Sequence, residues 1–166
     1  ESIELPSTIE SIGEYAFYNC GSLKEIELPS TITSIENGTF SKCISLESVE
    51  LPNKTESIGD YAFYNCSNLK NIKIPNGTTN IGHSAFFKCS SLKEIKLSDK
   101  ITSIESGTFE DCSNLEKVEL PNGITSIGEN AFSHCENLKS IESLSNIRSI
   151  SIYAFDNCKK LKNIEI

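Results

Sequence analysis

The chain has 166 residues, 37% of them apolar, with a formal net charge of −8 and a pI near 4.8. An acidic balance excludes a general nucleic-acid binder, which needs a Lys/Arg excess to neutralise phosphates. No apolar run approaches the ~20 residues of a membrane-spanning helix, so direct membrane insertion is not expected.

Cysteine recurs at positions 20, 43, 66, 89, 112, 135 and 158, always 23 residues apart. A period that strict describes one short supersecondary unit copied in tandem and stacked as a solenoid. The modest apolar content suits such a stack, because each coil buries its apolar groups against neighbours on both sides. The repeat accounts for residues 1–166 as one domain of about seven repeats. The chain opens and stops inside a repeat, and neither end carries a polar cap, so we expect a segment of a longer protein.

In chain order, each copy begins with an apolar pair two residues apart, as in Leu23, Ile26, Leu28 and Leu115, Val118, Leu120. Period two means a strand whose Ile and Leu face inward while the residue between them faces out. Pro29, Pro52, Pro75 and Pro121 follow, ending the strand where no further donor is needed. A second extended stretch carries Ile32 and Ile35, with counterparts at Ile9/Ile12, Ile101/Ile104, Ile124/Ile127 and Ile147/Ile150. The period then changes. Ala16, Phe17 and Cys20 sit at i, i+1 and i+4, the inward face of a short helical turn. Gly13, Gly59, Gly82 and Gly128 precede it, where a chain reversal wants positive φ. Glu36 and Glu105 replace that glycine in two copies that supply Gly38 and Gly107 two residues later, which predicts a second version of the turn. Coils pairing their strands in parallel on a right-handed path would stack about 4.8 Å apart, on the order of 35 Å for seven. Ser143-Leu144 stands where Leu120-Pro121 predicts Leu-Pro, a slip that predicts a local bulge.

The string Leu46-x-x-Val49-x-Leu51-Pro52 followed by Ile58-Gly59-x-x-Ala62-Phe63-x-x-Cys66 resembles the BspA-like, or Treponema-type, leucine-rich repeat. The resemblance covers essentially the whole chain. It implies a β-rich leucine-rich-repeat solenoid with parallel strands and short helical turns. It also implies a non-enzymatic adhesion or protein-interaction module at a cell surface or secreted, binding host or neighbouring-cell proteins. The family shares no catalytic residue and no ligand motif. A structural spacer and an accessory repeat segment of a larger enzyme are the alternatives.

No catalytic motif stands out, and neither cofactor nor metal is expected. Stacked thiols with parallel side-chain vectors are poorly placed for a disulfide or a tetrahedral metal site, so the cysteines read as buried, reduced packing residues. His83 and His134 occupy unequal places in the repeat, without partners at catalytic or ligand spacing, and read as surface residues of the turn edge.

Two surfaces are candidates for protein contact. On the strand face, Lys70, Lys73, Lys93 and Lys96 form a basic block flanked by Glu47/Glu50 and Glu116/Glu119. On the turn edge, Tyr15, Tyr18, Tyr61, Tyr64 and Phe87 cluster towards the N-terminal half, with Tyr153 in the same column further on, and aromatics are enriched at interface hot spots. Asn37, Asn53, Asn65 and Asn76 head N-x-Ser/Thr sequons, with Asn65 the least plausible acceptor because it adjoins an inward cysteine.

Overall fold

The computed structural model describes residues 2–142 and 144–164. The first strand of each coil falls at β1 (Ser2–Glu4), β2 (Glu25–Glu27), β4 (Ser48–Val49), β6 (Asn71–Ile72), β8 (Glu94–Lys96), β10 (Lys117–Glu119), β12 (Ser140–Glu142) and β14 (Asn163–Ile164). The second falls at β3 (Ser34–Ile35), β5 (Ser57–Ile58), β7 (Asn80–Ile81), β9 (Ser103–Ile104), β11 (Ser126–Ile127) and β13 (Ser149–Ile150). Every pairing is parallel and joins residues one repeat apart, such as Val118 with Ile95 and Ile141. The architecture is a parallel-strand β-solenoid with a 23-residue repeat. Each coil is named below by its cysteine.

The core runs along the stack axis. Ile26, Val49, Ile72, Ile95, Val118 and Ile141 are buried from the first strands, and Ile35, Ile58, Ile81, Ile104 and Ile127 from the second. Phe40, Phe63, Phe86, Phe109 and Phe132 are wholly buried and stack face to face with centroids 5.4–5.6 Å apart. Coils related by pure translation would separate these rings by the strand spacing of about 4.8 Å. The wider ring spacing means the coils fan open on their turn edge.

The helical turn predicted around Ala16–Cys20 is not there, and no helix occurs among the described residues. The segment is a run of tight turns whose amides alternate between two partners. Ala16, Tyr18 and Cys20 donate to carbonyls three residues back, while Tyr15, Phe17 and Asn19 donate to Asn37, Thr39 and Ser41 of the next coil. This alternation continues along the stack, so the turn edge is itself an intercoil ladder. It requires two left-handed residues per coil, at the positions of Tyr15 (φ 55°) and Asn19 (φ 59°).

The glycines therefore have different jobs from those expected. Gly38 (φ 62°) and Gly107 (φ 65°) occupy the left-handed position that Tyr15, Tyr61, Ser84, Asn130 and Tyr153 hold elsewhere, so there is one turn rather than two versions. Gly59, Gly82 and Gly128 are not left-handed; they allow close approach. A Cβ on Gly59 would lie 2.7 Å from the Asn37 nitrogen, and one on Gly128 2.7 Å from the Ser106 nitrogen. With that approach the Gly59 and Gly128 amides reach the Ile35 and Ile104 carbonyls at 2.7 and 2.8 Å. Ser151 still fits, its amide 2.9 Å from the Ile127 carbonyl. The longer Glu36 and Glu105 do not, and the second-strand ladder starts afresh at β3 and at β9. Their carboxylates are held instead by the Ser34 and Ser103 hydroxyls.

The thiols are free and interior. Cys43, Cys66, Cys89, Cys112 and Cys135 are buried, and the end cysteines Cys20 and Cys158 are partly so. Each from Cys43 onward donates its S–H to the phenylalanine carbonyl of the preceding coil, as Cys66 does to Phe40 at 3.1 Å and Cys89 to Phe63 at 3.2 Å. Cysteine here is a small apolar residue that also satisfies a buried acceptor. Ser143, where a bulge was expected, lies outside the described residues; Leu144 beside it is buried.

Candidate protein-contact surface

Burial of the repeating residues leaves the strand face to the residues between them. Lys24, Glu25 and Glu27 exemplify its three outward columns, and the alternation of buried and exposed positions along β2 and β8 follows the pleat. Opposite charges in adjacent coils pair across this face. Lys70 meets Glu47 at 2.7 Å, Lys139 meets Glu116, and Lys96 approaches Glu119 at 3.6 Å. Hydrogen bonds from Lys70, Lys139 and Lys117 are the main reason that the Glu47, Glu116 and Glu119 carboxyls, respectively, lie below the ordinary carboxylate value, with Lys96 a lesser contributor at Glu119.

Sequence reading placed Lys70, Lys73, Lys93 and Lys96 together, and the structure sets them on neighbouring coils, at Cys89 and Cys112. Two are partly neutralised by the ion pairs of Lys70 and Lys96. Among the described residues Lys73 and Lys93 form no ion pair within 4.0 Å, although Lys93 is near enough to Glu116 to help depress its carboxyl. A concavity of about 350 Å³ lies against this block, floored by Ile72, Ile74, Ile95 and Leu97 and walled by Lys73, Lys96, Lys117, Glu94 and Glu119. Lys117 was not singled out from sequence. It stands two residues before Glu119 on the same strand face, and its Nζ reaches that carboxylate at 2.8 Å; period-two spacing was the available signal.

On the turn edge the aromatics form two clusters. Tyr15 and Tyr18 meet edge to face at 6.0 Å, as do Tyr61 and Tyr64, and Tyr64 stacks on Phe87 at 4.9 Å. The Cys43 coil separates the clusters, and there the Tyr15 ring lies where a Cβ on Gly38 would be. Lys42 spans the gap: its Nζ donates to the Tyr18 hydroxyl at 2.8 Å and sits 5.2 Å over that ring. That hydrogen bond, with smaller contributions from the Tyr18 and Tyr64 hydroxyls, raises the Lys42 pKa above the ordinary lysine value. Lys88 caps the Phe87 ring at 5.1 Å. Tyr15, Tyr18 and Tyr61 remain 41–49% exposed, while Tyr64 and Phe87 are half-buried by their mutual stacking.

Other polar candidates are occupied structurally. Asn37 donates to Glu14 at 2.9 Å and accepts the Asp60 amide at 2.8 Å, so this sequon asparagine is tied into the coil stack. His83 lies 3.9 Å from the Glu105 carboxylate. No group of three or more His, Cys, Asp or Glu residues suited to a metal ion occurs among the described residues.

An in-register coil with one leucine-bearing strand and a Phe-x-x-Cys turn defines a leucine-rich-repeat solenoid. The chain belongs to the BspA-type leucine-rich repeat proteins: that family's repeat region matches residues 1–116 and 79–166, in six copies. Among solved structures it is similar to a leucine-rich repeat protein of T. pallidum, at 32% identity and a TM-score of 0.93, over 98% of this chain and 78% of that one. It is also similar to a leucine-rich repeat protein of Bacteroides ovatus, at 34% identity and a TM-score of 0.83, over 90% of this chain and 39% of that one. The pneumococcal vaccine antigen PcpA shares the fold, at 22% identity and a TM-score of 0.64, over 90% of this chain and 41% of that one. No curated protein matches the chain. Leucine-rich repeats of this kind are generally protein-interaction scaffolds, and no helix among the described residues is long and apolar enough to cross a membrane.

Proposed function

We propose that the chain is a non-enzymatic adhesion module of a cell-surface or secreted protein, binding proteins of a host or of neighbouring cells. The observation that carries this reading is the division of labour in the repeat. The recurring residues are consumed by the core, and the variable ones form outward columns on a rigid frame. Rigidity lowers the ordering cost of association, so contacts can be spread over several coils. Family membership supports the same reading. The test is capture of purified matrix, plasma and cell-surface proteins by the immobilised chain. Saturable capture that survives competition by an unrelated acidic protein is expected. Failure to retain any of them, with the parent's adhesion unchanged when this segment is replaced by an unrelated rod, would make the segment a spacer.

A further inference from the structure

Among the described residues one junction, a seam, interrupts both strand ladders; the first-strand sheet also breaks between β2 and β4, where a Glu27–Glu50 bridge remains. Between the Cys89 and Cys112 coils the first-strand sheet ends at β6 and restarts at β8, and the second-strand sheet ends at β7 and restarts at β9. An amide-to-carbonyl bond joins Glu47 to Lys24, Lys70 to Glu47, Glu116 to Lys93 and Lys139 to Glu116, yet the equivalent bond from Lys93 to Lys70 is missing. The turn edge stays closed, with Ser84, Phe86 and Lys88 bonded to Ser106, Thr108 and Glu110 at 2.9–3.0 Å. The opening is thus confined to a short stretch of the strand side, bounded by the Ser91 amide on the Ser67 carbonyl at 3.2 Å and the Ser98 hydroxyl on the Asn76 carbonyl at 2.9 Å, and the 350 Å³ concavity lies along it.

Like charges meet at this junction. At this junction Lys70 stands opposite Lys93 and Lys73 opposite Lys96, so both flanking columns oppose like charges, which destabilises a strand pair. Like charges alone do not part the strands: Lys139 falls opposite Lys162 and, by the 23-residue register, Glu142 opposite Glu165, yet β12 and β14 stay paired and the Lys162 amide reaches the Lys139 carbonyl at 3.4 Å. Glu105, in the place of a close-approach glycine, loosens the second strand at the same junction.

We infer that this seam is a binding slot for an extended protein segment bearing a short acidic run flanked by basic residues, a refinement that rests on the adhesion reading above. Carboxylates placed between Lys73, Lys93 and Lys96 relieve a repulsion that the free protein stores. The flanks set the length of the run. Glu47 and Glu50 bound the block on one side and Glu116 and Glu119 on the other, so a long uniform polyanion meets repulsion at both ends. Basic residues beside a short acidic run meet complementary charge instead.

The probe is a fluorescent peptide of a few glutamates bracketed by lysines, titrated by anisotropy against the whole chain, beside uninterrupted polyglutamate and heparin. The bracketed peptide should bind in a salt-sensitive way and better than either polyanion. Lys73→Gln with Lys93→Gln should weaken it by about tenfold or more, while Lys139→Gln with Lys162→Gln should not. The slot variant should also melt no lower than the native protein, since it removes like-charge opposition. Absence of peptide binding, equal loss in both variants, or preference for heparin or polyglutamate would overturn the slot. If the slot variant still captures the partners of the native chain, the slot fails and adhesion stands. If the peptide binds but the native chain captures no partner, adhesion fails and the slot stands.

Discussion

Raising the pH should unfold this protein through its thiols. Burial first, and the neighbouring thiol next, push Cys89, Cys112 and Cys135 well above the ordinary 9.0, and Cys66 is raised for the same reasons. The shorter-ranged cause is visible in the geometry: ionised Cys112 would leave a thiolate facing the Phe86 carbonyl, to which its S–H now donates at 3.1 Å. Cys43 and Cys158, nearer the ends of the stack, are raised less, to about 11. Above pH 9 the unfolded chain releases protons that the folded chain retains, so stability present below that pH is lost as pH rises. The slope is about 1.4 kcal/mol per thiol per pH unit, or about 5–6 kcal/mol per unit for the four central thiols. Against a typical stability of about 5–15 kcal/mol, cooperative unfolding should fall between about pH 10 and 12. Circular dichroism and thiolate absorbance should change together, and iodoacetamide should label few thiols before that transition. Cys112→Ala should lower stability at pH 7 by roughly 1 kcal/mol through the lost hydrogen bond. It should also make the pH slope shallower by about one proton. Urea-unfolding stabilities that stay level from pH 8 to 10, or thiolate absorbance rising while the fold persists, would refute the reasoning.

Five substitutions test the stack itself. Phe63→Ala removes a wholly buried ring packed between two others at 5.4–5.5 Å and should cost about 3–5 kcal/mol in equilibrium denaturation. Phe17→Ala, at a partly exposed ring with a single stacking partner among the described residues, should cost less, and equal costs would argue against a one-dimensional stack. Thr55 places a buried hydroxyl without a hydrogen-bond partner where Ile32 and Ile101 stand in other coils, so Thr55→Val should raise stability by about 1 kcal/mol, read as a higher melting temperature. Gly59→Ala should cost about 1–3 kcal/mol, because its Cβ meets the Asn37 backbone at 2.7 Å. Gly77→Ala, whose Cβ finds only ordinary contacts at 3.7–3.8 Å, should be neutral or gain up to about 1 kcal/mol, so a matched response would contradict the close-approach role.

The sequence alone determined what happens within a coil. The 23-residue period, the inward Leu, Ile, Phe and Cys, and the place of each strand follow from spacing and burial, because a residue's direction in an extended segment is set by parity. The family could be recognised for the same reason, since its signature is made of core residues. Local spacing could not distinguish a helical turn from the ladder that forms around Phe17 and Cys20. Both put positions i and i+4 inward, and the choice depends on amides that bond to the next coil, such as Phe17 to Thr39. Asparagine tolerates the left-handed region, so Asn19, Asn65, Asn130 and Asn157 carried a signal that the expectation of left-handed glycines passed over, while Tyr15, Lys42 and Tyr61 carried none, because stacking holds them in an unfavoured conformation. Lys70, Lys73, Lys93 and Lys96 could be read as a basic block from their register. That the sheets part there, and that Lys117 joins the rim, only the tertiary structure decided. A strand pair opens or closes according to the sum of charge opposition, close-approach glycines and ladder bonds across two coils, and no single repeat contains that sum.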